Sequence, residues 1–215
     1  VALAMLLAMS LNIITGFAGQ PTLGHAAFYG IGAYTSALLT AKAGWPFFLA
    51  LPAAGAMAAL VGVLLGWFSV RVREDFLAVT TIGINFVVVA IFQYVQLFGA
   101  SLGLAVPKPE LLGVRFGNTE FLGLLILLNL LVYLFMRHLP NSWLGLALGG
   151  VRNDEEAAAS LGYNADHYKV FAFTIGTFIA GMTGSVYAHF MGFISSTDFA
   201  FPVSIGVLSM AVLGG

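Results

Sequence analysis

Three carboxylates in succession, Asp154, Glu155 and Glu156, are followed by Ala157 and Ala158 and closed by Gly162. Asn153 is placed to cap a helix, with Glu156 three residues on as its capping-box partner, and the acids fall in the first turn, where the helix dipole favours negative charge. Gly162 supplies the stop. The helix this predicts has about two turns, with Ala157, Ala158 and Leu161 on one face, too short to be stable unless it docks on something. Arg152 stands immediately before it. Two uses fit: a solvated connection between membrane spans, or a plug presented to a soluble partner.

A second set of residues offers neutral hydrogen-bonding chemistry. Gly16-Phe17-Ala18-Gly19-Gln20-Pro21-Thr22-Leu23-Gly24-His25 puts three glycines and a proline into otherwise apolar sequence. Such a stretch reads as a broken or re-entrant helix, a feature of transport pathways, or else as a loop at the membrane surface. His25 reads more simply as a hydrogen-bonded interfacial histidine than as a ligand. Asn85 and Gln96 lie eleven residues apart, which sets them about 20° apart around one helix, with Gln93 on the flank. Amides inside a span face the bundle or a wet cavity.

The elements that must carry these residues are apolar. Hydrophobic residues make up 60% of the 215 and charged ones 8%, against about 25% in a soluble domain. The chain is therefore an all-α, polytopic transmembrane helical bundle in the lipid bilayer, a single domain over residues 1–215. Seven apolar runs are expected: 1–18, 26–41, 46–68, 76–98, 119–136, 168–191 and 200–215, of which the second, fifth and last are short. Residues 137–167 form a polar loop between the fifth and sixth. The sixth run carries Gly176, Ala180, Gly184 and Ala188 in one row and Thr177, Gly181, Ser185 and His189 in the next. Small residues on two adjacent faces place this helix at the centre of the bundle.

Arg71 and Arg73 flank the end of the third run, and basic residues favour the cytoplasmic side. Alternation then puts Arg137, Arg152 and Lys169 inside and Lys42, Lys108 and Arg115 outside. A net charge of −1 without basic runs predicts no nucleic-acid partner. With no cysteine there is neither disulfide nor thiolate metal site. Mid-span Asp, Glu, Lys and Arg are missing, and ion-coupled carriers commonly need them. The G-x-x-x-x-G-K-[ST] phosphate loop is missing too, so energy is expected from an ATPase on another chain. Both ends fall inside apolar sequence and are expected to lack material.

With those residues in place, the chain resembles the permease subunits of branched-chain amino acid ABC importers, the LivM-like members of the wider LivH/LivM permease family. Glu156-Ala157-Ala158 with Gly162 matches the E-A-A-x-x-x-G pattern of their cytoplasmic coupling loop. Asn12 to Tyr34, Arg71 to Ala78 with Thr81-Ile82-Gly83, and Tyr168-Lys169 with Ala180 to Gly184 carry the rest of the likeness. Members tend to have Gly-Arg-Ala before the coupling helix, where this chain has Gly145-Leu146-Ala147.

The resemblance implies a bacterial inner-membrane subunit that is not itself an enzyme. It implies a second permease, H-type or a copy of this chain, two ABC ATPase subunits holding the ATP and Mg, and an extracytoplasmic substrate-binding protein. This chain then needs no cofactor and no metal. Coupling is expected from Arg152, Asp154, Glu155, Glu156, Ala157, Ala158 and Gly162. The substrate pathway is expected near Gly16, Gly19, Gln20, Gly24, His25, Asn85 and Gln96. Related subunits carry urea or short amides, and an ATP-independent channel or ion-coupled carrier is the alternative from another class.

Overall fold

The structure, a computed structural model, describes residues 1–69, 74–111 and 114–214. The order is α1 (Ala2–Asn12), a π-helical turn Ile13–Phe17, α2 (His25–Ala41), α3 (Phe47–Ser69), α4 (Glu74–Tyr94), α5 (Asn118–His138), α6 (Trp143–Asn153), α7 (Glu155–Ser160), α8 (Ala165–Met191) and α9 (Phe201–Leu213). Each of the seven apolar runs corresponds to a helix. Among the described residues, five stretches have the length and composition to cross a membrane: Phe47–Phe68, Phe76–Tyr94, Asn118–Asn141, Ala165–Met191 and Ser196–Leu213. The chain is a multi-pass membrane protein. The fifth run is longer than its apolar residues suggested, because α5 continues through Arg137 and His138 and runs into a 3-10 turn over Leu139–Asn141.

α8 is the axis of the bundle, as its two rows of small residues predicted. It packs on α2 and α3 so closely that a Cβ at Gly32 would lie 2.1 Å from the Gly181 carbonyl oxygen, and one at Gly184 would lie 2.0 Å from that of Tyr29. Side chains would hold these backbones apart, and in lipid such close packing is a main source of helix association. The Ser185 hydroxyl donates to Ser36 Oγ at 2.7 Å, and His189 Nε2 meets Thr40 Oγ1 at 3.1 Å. Both pairs are separated by 149 residues, so α2 and α8 run parallel in constant register.

That register places the start of α2. His25 stands level with Thr174, more than two turns and about 13 Å into α8 from Ala165. The break before α2 thus lies inside the bundle: Gln20, Thr22 and His25 are buried. The backbone of the break finds its partners there, as a segment in apolar surroundings must.

On the far side, β1 (Leu104–Ala105) pairs antiparallel with β4 (Phe193–Ile194), while β2 (Glu110–Leu111) pairs with β3 (Val114–Arg115). From β4 the chain folds back inward, and Phe199 packs among Tyr29, Tyr34 and Phe92. Outward faces of α3, α4 and α5 expose Leu60, Leu64, Phe86, Val87, Leu130 and Leu131, as lipid contact requires.

Arg137, Arg152 and Lys169 gather at one end of the bundle, and Lys42 lies at the other, where its ammonium donates to the Leu97 carbonyl at 2.8 Å. Lys108 lines a cavity at that second end, beside Thr40, Trp45 and His189. Arg71 and Arg73 lie outside the described residues, as does the side chain of Arg115.

Candidate coupling and pathway site

α6 begins at Ser142, whose Oγ accepts from the Gly145 N–H at 3.1 Å. It ends at Asn153, and one residue, Asp154, serves as both its C-cap and the N-cap of α7. Asp154 Oδ1 accepts from the Ala157 N–H at 2.9 Å. The expected cap at Asn153 is therefore displaced by one position. Asn153 is still helical, whereas Asp154 has the extended backbone, φ −156° and ψ 103°, that a capping side chain needs. Glu155 and Glu156 occupy the first turn. Gly162 ends α7 as expected: with φ +89° it takes the left-handed conformation, and the Tyr163 N–H returns to the Ala158 carbonyl at 3.1 Å.

α7 has six residues and gains its stability from packing. Ala158 is buried against Val151, Ala165 and Tyr168. The expected shared face is not seen, because Ala157 is exposed and Leu161, past the last helical residue, is 78% exposed. Glu156, Ala157, Ala159 and Leu161 form the outward surface of this end. Glu155 instead turns to a partner within the chain: its Oε2 accepts from Lys169 Nζ at 2.6 Å. Lys169 is almost fully buried in α8 while Glu155 is half-exposed. Sequence reasoning placed Lys169 at this end by charge alone and had no signal for the pairing, fourteen residues away.

Arg152 points the other way. Its Nη1 donates to the Gly16 carbonyl at the end of the π-helical turn. At Gly19, with φ +69°, a Cβ would lie 2.9 Å from Arg152 Cγ, so the backbone conformation and the arginine stem together require glycine. A cavity of about 460 Å³, lined by residues including Asn12, Phe17, Gly145 and Gly149, opens at this junction. Of the two expected sets, Arg152 from the first thus meets Gly16 and Gly19 from the second.

Past the junction the break is held by single bonds. Thr15 Oγ1 donates to the Gln20 carbonyl at 3.1 Å, and the Leu23 N–H donates to Thr81 Oγ1 at 3.0 Å. Gly24 lies on the α4 backbone, where a Cβ would approach the Thr81 carbonyl oxygen to 2.3 Å. His25 is wholly buried, with Nε2 2.7 Å from Ser10 Oγ. It is an interior residue, not an interfacial one. The Ala26 N–H in the first turn of α2 donates to Ser204 Oγ at 2.9 Å. Asn85, also wholly buried, donates through Nδ2 to the Phe199 carbonyl at 3.3 Å.

Gln96 does not join this group. α4 ends at Tyr94, Val95 is extended, and Gln96 opens an exposed 3-10 turn, so the helical spacing that paired it with Asn85 is interrupted. Ser10 and Ser204, bonded to His25 and to the Ala26 N–H, belong beside the candidate residues and were not marked out by the sequence. Ser10 is a lone serine in its apolar run and Ser204 shares its run only with Ser209, so only tertiary packing gives either a meaning. The result is a buried set of neutral donors and acceptors, bonded to one another and to the backbone around the start of α2.

The whole chain, residues 1–215, matches a family described as branched-chain amino acid transport system / permease component. A relative from Escherichia coli strain K12, called High-affinity branched-chain amino acid transport system permease protein LivM, is 36% identical over 98% of this chain and 56% of its own length. The protein of the same name from Salmonella typhimurium is 35% identical over the same shares. A Methanocaldococcus jannaschii protein, called Probable branched-chain amino acid transport permease protein LivM, is 25% identical over 85% of this chain and 63% of its own. The chain spans just over half the length of the first two. No solved structure matches it.

Proposed function

Because the chain belongs to the branched-chain amino acid transport permease family, we propose that it is the membrane-spanning subunit of an ABC importer that takes up branched-chain amino acids. It works beside a second permease, H-type or a copy of itself, in the bacterial inner membrane. Two ATPase subunits hydrolyse ATP with Mg, and an extracytoplasmic binding protein delivers the substrate. The outward surface of α6 and α7 docks on an ATPase. Movement there passes into the bundle, and the spans open alternately to either side, as in other transporters built around broken helices.

The observation that carries this reading is the junction of Arg152 with Gly16 and Gly19, which joins the helix pair at one end of the bundle to the break between α1 and α2. A channel or an ion-coupled carrier has no use for a docking surface tied to its pathway in this way. The experiment is uptake of radiolabelled leucine into proteoliposomes holding this subunit with its permease partner, ATPase and binding protein. ATP-dependent uptake that falls with Gly162→Trp, together with loss of ATPase co-purification, supports the reading. Uptake indifferent to ATP overturns it. ATPase binding without leucine uptake directs the same assay to urea and short amides.

A further inference from the structure

We infer that Arg152 is the positioning residue that carries movement of the α6–α7 pair into the break at Gly16–Gly24. The inference rests on the importer reading and assigns Arg152 an inward role within this chain rather than a contact with the ATPase. Three observations carry it. Nη1 donates to the Gly16 carbonyl, on the last turn before the break. The arginine stem lies against Gly19, where a Cβ would meet Cγ at 2.9 Å. Asp154 alone separates α6 from α7, so a displacement of α7 reaches Arg152 without an intervening loop.

The chemistry suits arginine. A planar guanidinium on a long apolar stem can hold a carbonyl by a directed bond while its methylenes pack on a neighbouring backbone. The cavity of about 460 Å³ beside it leaves volume into which the side chain can move, which a close-packed interior would deny. Beyond the Gly16 carbonyl the chain leads through Gln20 and through Leu23, whose N–H donates to Thr81 Oγ1 of α4, to His25. A shift of Gly16 therefore reaches the buried polar set within a few residues. Lys169 provides a second attachment, from Glu155 to the axis helix α8, against which α6 can turn.

The test uses the assembled complex in proteoliposomes, with Arg152→Ala, Arg152→Lys and Gly19→Ala. The chain has no cysteine, so Thr22→Cys, at a buried position of the break, reports accessibility to a thiol reagent with and without ATP. For Arg152→Ala, uptake and the ATP-dependent change in thiol labelling at position 22 fall roughly tenfold, a normal size for coupling between sites, while ATPase co-purification and hydrolysis stay within about twofold. Arg152→Lys recovers part of the response, and Gly19→Ala reproduces the loss from the other side of the junction. A purely structural role lowers assembly, hydrolysis and uptake together, and that result overturns the inference. So does Arg152→Ala with uptake and labelling unchanged, or with hydrolysis lost because the ATPase no longer binds. Wild-type vesicles without ATP-driven uptake of leucine, urea or short amides overturn the importer reading itself.

Discussion

The Lys169 ammonium and the Glu155 carboxylate lie 2.6 Å apart, joining the shortest helix at this end of the bundle to the longest. The pair is asymmetric: the cation is nearly buried and the anion half in solvent.

The asymmetry sets the order of two substitutions. Glu155→Gln leaves a nearly buried ammonium without its counter-charge, whereas Lys169→Met removes the charge that had to be desolvated. Glu155→Gln is expected to lower stability by about 1–2 kcal/mol, discounted for the exposed carboxylate, and Lys169→Met by less. Thermal unfolding in detergent checks the order, and equal or reversed losses contradict it.

The displaced cap is separately testable. Asp154→Ala removes the acceptor for the Ala157 N–H and should cost about 1 kcal/mol of local helix stability, whereas Asn153→Ala should be nearly neutral. Amide hydrogen exchange over residues 155–160 reads this out. Faster exchange in Asn153→Ala than in Asp154→Ala would return the cap to the position expected from sequence.

The Ser10–His25 bond predicts coupling between two residues in different helices. Ser10→Ala leaves a buried ring nitrogen without its partner, at a cost of about 1–3 kcal/mol. The Ser10→Ala/His25→Leu double variant should lose less than the sum of the singles. Strict additivity in thermal midpoints would show that the two side chains do not interact.

Packing about the axis predicts a sharp difference among glycines. Gly184→Leu forces the α2 and α8 backbones apart and should abolish recovery of monodisperse protein, because overpacking costs about 1–3 kcal/mol even where neighbours can yield. Gly123→Leu, with open space around its Cβ position, should be recovered as wild type. Size-exclusion chromatography separates the two outcomes.

Much of this was legible in the sequence, because the informative signals were local. Apolar runs gave the helices, and the spacing of Gly176, Ala180 and Gly184 placed α8 at the centre, since only small side chains allow that approach. Gly162 announced its turn because a left-handed residue has few alternatives to glycine. The misplacements have equally local causes. Asn153 and Asp154 are both good caps, and which one leaves the helix first depends on how α6 packs. Gln96 shared a helical face with Asn85 only while α4 was assumed to continue, and nothing in Val95 marks the end. The pairings of Ser10 with His25 and of Arg152 with Gly16 are long-range meetings that no period in a sequence encodes.

The constant register between α2 and α8 has a mechanical consequence. Gly32 rests on Gly181, Gly184 on Tyr29, and Gly181 on the Ala54 carbonyl of α3, so a slide of any one helix would drive side chains into spaces sized for bare backbone. The three helices therefore move as one keel. In the importer proposed above, bending then falls to the segments outside this contact, the π-helical turn and break on one flank and the inward fold of residues 195–200 on the other.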